Sequence, residues 1–523
     1  MLGRSCHFPQ RKRRRSSASS DLPPYHCKRR RLLMIRTRLT YVPLVLVFVL
    51  LYWLSTKHQR PIPDLFQWPS MLSIENTYPL SFDQIREYEQ RLPQHDVSLP
   101  PPEGINGRTL LFSNEVWGLG LNNQLNNRWV HQNSNFMKGK FIPIARLVLS
   151  HLAYLSNRSY VFREIMFGEK WEDGVWYPLN TFISGPTAGG PFPPSANSPP
   201  RALSRDYWLK ICPSTRRRVL DVDAVNNELN FPDEPDGVLV LERWAEKLKA
   251  MPETCVEISF MSKHIIDYQW VEFKVVYHDF WHSTSFFGSQ RSLSLFPSFS
   301  TSPVISHFRW SDVVLHAVER NIPLITRTHT ASASRITHFS PPGTIDSGRP
   351  RMAVPVTAIS SLRKDQKLPH VLAIHIRRGD YGPHCHKMAT YASGYNSWNL
   401  LPSLPDVFNP PNNIEEGSEA FEEFMRHCWP SIEDIVRRVR DVKLDYEARG
   451  GKLRSIYVLT NGKQPWIDTL SEHLLMSGMG WERVTSSLDL TFISEPEKLV
   501  NQAVDMEIAR RAEVFIGNGV RDH

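Results

Sequence analysis

Two hydrophobic rhythms alternate along most of this chain, and the changes between them mark out its elements. Near the C-terminus, Val371-Leu-Ala-Ile-His-Ile376 is a short apolar run of the kind a buried strand shows. Ile432, Ile435, Val436 and Val439 then recur at helical spacing and stop before Gly450-Gly451. A second strand, Ser455-Ile-Tyr-Val-Leu-Thr460, leads into a helix over about 464–478. Another helix over about 496–511 carries Leu499, Ala503 and Met506, and Glu513-Val-Phe-Ile-Gly517 reads as a strand. The same alternation opens earlier with Arg108-Thr-Leu-Leu-Phe-Ser113, a Gly/Asn-rich loop, a helix near 142–156 and the strand Tyr160-Val-Phe162. Strands alternating with helices predict an α/β fold with doubly wound parallel sheets, whose ligands sit beyond the C-terminal strand ends. Ser184-Gly-Pro-Thr-Ala-Gly-Gly-Pro-Phe-Pro-Pro194 breaks both rhythms and predicts a long loop.

Upstream the pattern is different. Residues 39–56 carry no charge and centre on Tyr41-Val-Pro-Leu-Val-Leu-Val-Phe-Val-Leu-Leu-Tyr-Trp-Leu54. At about 1.5 Å per residue that span reaches about 27 Å, enough for a thin early-secretory bilayer. Residues 1–38 hold twelve Lys and Arg against Asp21, which predicts a cytosolic tail, a transmembrane signal anchor over 39–56 and a luminal C-terminus. A cleaved signal peptide is the rival, opposed by the long tail and the lack of a small-x-small site after Leu54. The Pro-rich and polar stretch 57–105 (Arg60-Pro-Ile-Pro63, Leu99-Pro-Pro-Pro102) reads as a stem.

Charge changes the picture only by where it lies. The formal +9 comes entirely from that tail, leaving the rest of the chain slightly negative, so nucleic acid is not an expected partner. Cys212, Cys255, Cys385 and Cys428 are an even luminal set that allows two disulfides in any of three pairings. Asn157-Arg-Ser159 is a glycosylation sequon.

The candidate chemistry gathers at His375-Ile-Arg-Arg-Gly-Asp380, at the C-terminal end of an expected central strand. A guanidinium fork suits a diphosphate there, because it binds two oxygens at once and keeps its charge when partly buried. Asp221-Val-Asp223 has the spacing with which metal-dependent transferases hold a divalent cation, and His384-Cys-His386 is a weaker metal candidate. Asp380 and Glu164 are carboxylates near expected strand ends, either of which could serve as a base.

The Arg-Arg string resembles the His-x-Arg-Arg motif of the protein O-fucosyltransferase and α1,6-fucosyltransferase superfamily. Gly118-Leu-Gly-Leu-Asn-Asn-Gln124 is similar to the loop that opens the family's first domain, Tyr457-Val-Leu-Thr460 to its intervening strand, and Val514-Phe-Ile-Gly-Asn518 to its terminal stretch. The resemblance implies a GT-B-like enzyme with two Rossmann-like lobes, 106–345 and 346–523, that uses GDP-fucose without a metal and inverts the sugar. It makes Arg377 the main diphosphate contact, with Arg378 assisting. Asp380 and His375 would shape the nucleotide pocket with Thr460 and Asn518, and Asn122, Asn123 and Gln124 would face it from the other lobe. In the family a Ser/Thr-rich turn follows, where this chain has Gly519-Val-Arg-Asp-His523, so a truncated form of a longer chain is the expectation. The acceptor would be a glycoprotein or glycan hydroxyl in the Golgi or endoplasmic reticulum. Two alternatives remain: a metal-dependent GT-A enzyme using Asp221 and Asp223, and an inactive relative that binds glycoproteins or acts as a scaffold.

Overall fold

A computed structural model describes residues 78–113, 146–167, 175–194, 199–232, 235–259, 290–326, 366–379, 381–390, 401–404, 408 and 414–517. The expected tail, the span over 39–56 and the loop around Asn122 lie outside them. Among the described residues no helix is long and apolar enough to cross a membrane.

The described chain starts with helix α1 (Phe82–Gln90), followed by β1 (Thr109–Phe112), α2 (Arg146–Leu155), β2 (Ser159–Phe162), the hairpin β3 (Ile165–Phe167) and β4 (Val175–Tyr177), and β5 (Leu203–Ser204). Next come α3 (Arg205–Ile211), β6 (Arg217–Asp221), α4 (Val222–Leu229), α5 (Gly237–Ala250) and β7 (Cys255–Ser259). Strands β5-β2-β1-β7-β6 form one sheet in that order, and every pairing in it is parallel. All four residues of β1 are buried, as expected of a strand covered on both faces. At the N-terminal ends of β1 and β2, Arg108 and Arg158 satisfy the carbonyls that α5 leaves open at its C-terminus. Arg158 donates to Leu248 O, Met251 O and Glu253 O, and Arg108 to Leu248 O, Lys249 O and Met251 O. Cations at a helix C-terminus also complement its dipole.

After the short helices α6 (Phe296–Thr301) and α7 (Pro303–Ser306), helix α8 (Asp312–Thr326) leads to the second sheet. That sheet is built from β8 (Leu368–Ile376), α9 (Gly382–Thr390), α10 (Glu419–Cys428), α11 (Ile432–Ala448), β9 (Ser455–Thr460), α12 (Gln464–Met476), β10 (Arg483–Ser486), α13 (Glu495–Leu499), α14 (Asn501–Arg511) and β11 (Ala512–Gly517). Its order is β10-β9-β8-β11, again all parallel. The chain runs outward from β8 through β9 to β10 and then returns to the other side of β8. The order therefore reverses between β8 and β11, which is where an open parallel sheet offers its ligand crevice. The α/β class with parallel sheets is what the apolar runs predict.

Two features differ from the sequence reading. The expected stem ends earlier than residue 105, because from Tyr78 onward it is folded against the body. Tyr78 donates its hydroxyl to Glu497 and stacks on His316 at 4.1 Å. Ser81 and Gln84 form a capping box on α1, Ile85 and Leu92 are buried, and the buried Gln94 amide donates to Gly189 O and Ala202 O. Apolar residues spaced among prolines suffice to dock the segment, although its composition reads as linker. Helix α8 lies on the first-lobe side of the expected boundary at 345, but it packs on the second sheet. Arg320 pairs with Glu497, Glu319 with Arg511 at 2.6 Å, and Asn321 accepts from Thr491 N at 2.9 Å. One buried cluster runs from Leu110 and Phe112 through Val314 and Val318 to Val371, Ala373 and Tyr457.

The cysteines pair as Cys212–Cys255, tying α3 to β7, and Cys385–Cys428, tying α9 to α10. Cys385 is thereby removed from the metal reading of His384-Cys-His386.

Candidate functional site

The site at the end of β8 follows from where that strand stops. Val371, Leu372, Ala373 and Ile374 are buried between β9 and β11, and the strand ends at Ile376, so Arg377 and Arg378 follow at the crevice end of the sheet. In register, His375 lies opposite Leu459 and Gly517, and Ile376 opposite Thr460. His375, Thr460 and the end of β11 are thus brought together with the arginine pair. Asp380, Asn122, Asn123, Gln124 and Asn518 lie outside the described residues.

The two arginines have different surroundings. Arg378 is 8% exposed, with its guanidinium between the rings of Trp429 and Trp466 at 4.4 and 4.6 Å. It donates to Pro430 O, and its backbone N–H donates to Asn461 Oδ1 at 2.8 Å. Burial lowers its pKa to about 10, so the cation persists at neutral pH. Arg378 therefore clamps the start of α11 and the first turn of α12 to the loop after β8, rather than sharing a mouth with Arg377 as the sequence suggests. Arg377 is half-buried, with its guanidinium 4.6 Å over the Tyr381 ring.

Two glycines let the loops after β8 and β9 touch. A Cβ on Gly379 would meet Asn461 Nδ2 at 2.5 Å, and one on Gly462 would meet Trp466 at 3.0 Å and Thr460 Oγ1 at 3.2 Å. Thr460 Oγ1 accepts from Gly462 N at 3.0 Å, which closes the turn, and Thr460 N donates to Ser487 Oγ. Ser487 Oγ in turn donates to Asp505 Oδ2 at 2.9 Å, and the Tyr457 hydroxyl donates to the other oxygen. Burial raises the Asp505 carboxyl to about 6, partly offset by these two donors. This chain of bonds ties α14 to the underside of the site.

Trp429, Trp466, Asn461, Tyr381, Ser487 and Asp505 are absent from the sequence reading. The one signal that could have found any of them is Trp466, because a tryptophan in the first turn of a helix that follows a Gly loop sits at a strand end. Asp221 has a structural duty: its Oδ1 accepts from Ala224 N at 2.9 Å and caps α4. Among the described residues no group of three or more His, Cys, Asp or Glu could hold a metal ion. Asn157 is exposed in the turn between α2 and β2 with φ 52°, and Ser159 of its sequon is buried in β2. Glu164 lies in the stretch between β2 and β3, 3.5 Å from Arg86.

No family model matches the chain, and neither does any curated protein. Among solved structures it is similar to POFUT1 in complex with GDP-fucose, at 13% identity and a TM-score of 0.39, over 72% of this chain and 86% of that one. It is likewise similar to POFUT1 in complex with GDP, at 12% identity and a TM-score of 0.37 over 72% and 87% of the two chains. The POFUT1 apo-form gives 13%, 0.36, 72% and 86%.

Proposed function

We propose that the chain is a glycosyltransferase of fucosyltransferase type that binds GDP-fucose at the end of β8 and transfers the sugar, with inversion, to a hydroxyl of a glycoprotein or glycan. The observation that carries this reading is the arginine pair at the point where the second sheet reverses its strand order. Arg378 is a positioning residue: caged by two indoles and held by Pro430 O, it fixes the backbone from which Arg377 projects. Arg377 is the diphosphate contact, with Tyr381 beneath it. As the bond from sugar to diphosphate breaks, negative charge grows on the leaving oxygen, and a preorganised guanidinium favours that state over the ground state. The buried partner makes the preorganisation possible, because the loop cannot swing without pulling Arg378 from its cage.

The two disulfides suit a secretory lumen, and the uncharged span 39–56 after a basic tail suits a type II anchor in the Golgi or endoplasmic reticulum. The metal-dependent alternative is disfavoured by the capping duty of Asp221.

Calorimetric titration of the full chain with GDP tests the reading, alongside transfer from GDP-fucose. Arg377→Ala should abolish GDP binding and cost on the order of 10² to 10³ in transfer while the melting temperature stays put. Undiminished transfer by a folded Arg377→Ala protein would defeat it. Transfer that vanishes with EDTA would favour the metal-dependent reading instead.

A further inference from the structure

A cavity of about 350 Å³ opens on the first sheet at the C-terminal ends of β2 and β5. That volume lies at the small end of the range for ligand sites. One wall is α1, which contributes Arg86 and Glu89, and another is Trp176 of β4. The first turn of α3 adds Arg205 and Asp206, and the stretch after β2 adds Arg163 and Glu164. None of these residues belongs to the site at β8.

Their chemistry is mixed and internally balanced. Arg86 donates to Trp176 O at 3.0 Å and pairs with Asp83 at 3.1 Å and Glu164 at 3.5 Å, while Arg163 donates to Ser113 O at 3.0 Å. Guanidiniums already paired in this way do not call for a polyphosphate, and the carboxylates beside them do not gather as a metal site. Glu89 is 7% exposed, and its Oε1 accepts from Asn180 N at 2.9 Å. Burial, with Glu164 and Asp206 nearby, raises its pKa to about 8, so near neutral pH it carries a proton and can both donate and accept. Trp176 adds a half-buried indole, with the Arg163 guanidinium 5.9 Å over its ring. An aromatic face, a neutral carboxyl and paired ionic groups in one small concavity match a ring that is apolar on its C–H face and bears hydroxyls at its rim.

We propose that this cavity is a carbohydrate subsite that takes one pyranose ring of a glycan, with Trp176 under the ring and Glu89, Asp206 and Arg205 bonding its hydroxyls. The proposal does not depend on donor binding at β8, and the experiment keeps the two apart. Saturation-transfer NMR is run on the purified full chain carrying Arg377→Ala, with the methyl pyranosides of glucose, galactose, mannose, N-acetylglucosamine and fucose as probes. At least one glycoside should receive saturation from the protein. Its affinity should fall by about tenfold or more in Trp176→Ala, a loss of about 1.4 kcal/mol or more. Asp206→Ala, an exposed position on α3, should weaken it as well and covers the case in which the tryptophan variant melts early. Absence of transfer to all five glycosides, or affinity unchanged in both Trp176→Ala and Asp206→Ala, overturns the proposal.

Discussion

Arg378 and His151 are both buried bases, and their different partners predict opposite mutational outcomes. Removing the Arg378 guanidinium leaves two indole faces and Pro430 O without their partner, so Arg378→Ala should cost about 2–4 kcal/mol in a urea titration. Lysine lacks the planar fork that stacks between two rings, so Arg378→Lys should recover little of that loss. His151, 1% exposed on α2, has neither ring nitrogen hydrogen-bonded, and burial lowers its pKa to about 4. A histidine depressed in the folded state contributes stability that is complete above pH 6.5 and is lost as pH falls toward 4. His151→Leu should therefore raise the melting temperature at pH 4–5 relative to the parent and change it little at pH 7. The arginine pair was legible because it ends an apolar run. Its cage was not, because Trp429 and Trp466 reach it from separate helices and no local pattern links them.

The elements easiest to see in the sequence are those buried on both sides. β8 and β9 read as continuous apolar runs because neighbours cover their edges and helices their faces. β6 was missed: it is an edge strand, with Arg218 and Val219 exposed, so its sequence, Arg-Arg-Val-Leu-Asp, looks like a charged turn. The single helix expected over 496–511 is two, α13 and α14, with Val500 as the C-cap of the first and N-cap of the second. Among the connections, the disulfide between α9 and α10 closes a separation of 43 residues, worth up to about 4 kcal/mol in the chain-entropy account. Replacing Cys385 and Cys428 together by serine should lower the urea midpoint accordingly. Trp429, one residue beyond Cys428, lies over Arg378, so the GDP binding proposed above should weaken in the same variant.

Over the whole molecule, the buried carboxyls set an alkaline limit. Glu89 has its folded pKa raised to about 8 from an ordinary 4.5, so its contribution is complete below pH 4.5 and lost as pH rises through 8. Asp505, raised to about 6, acts the same way over a lower window and is spent by neutral pH. Stability should therefore decline between pH 6.5 and 8, and Glu89→Gln should flatten that decline by up to about 2 kcal/mol in pH-dependent melts. α8 bears on another property, the divisibility of the chain. Because Val314 and Val318 belong to the same apolar mass as Val371, Ala373 and Tyr457, the second sheet has no finished surface without that helix. A fragment expressed from Leu368 onward would present a greasy, half-dressed sheet and precipitate, whereas one begun at Asp312 brings its cover along. Neither half is then a portable cassette: any chimera that grafts in a foreign second sheet must import the covering helix too.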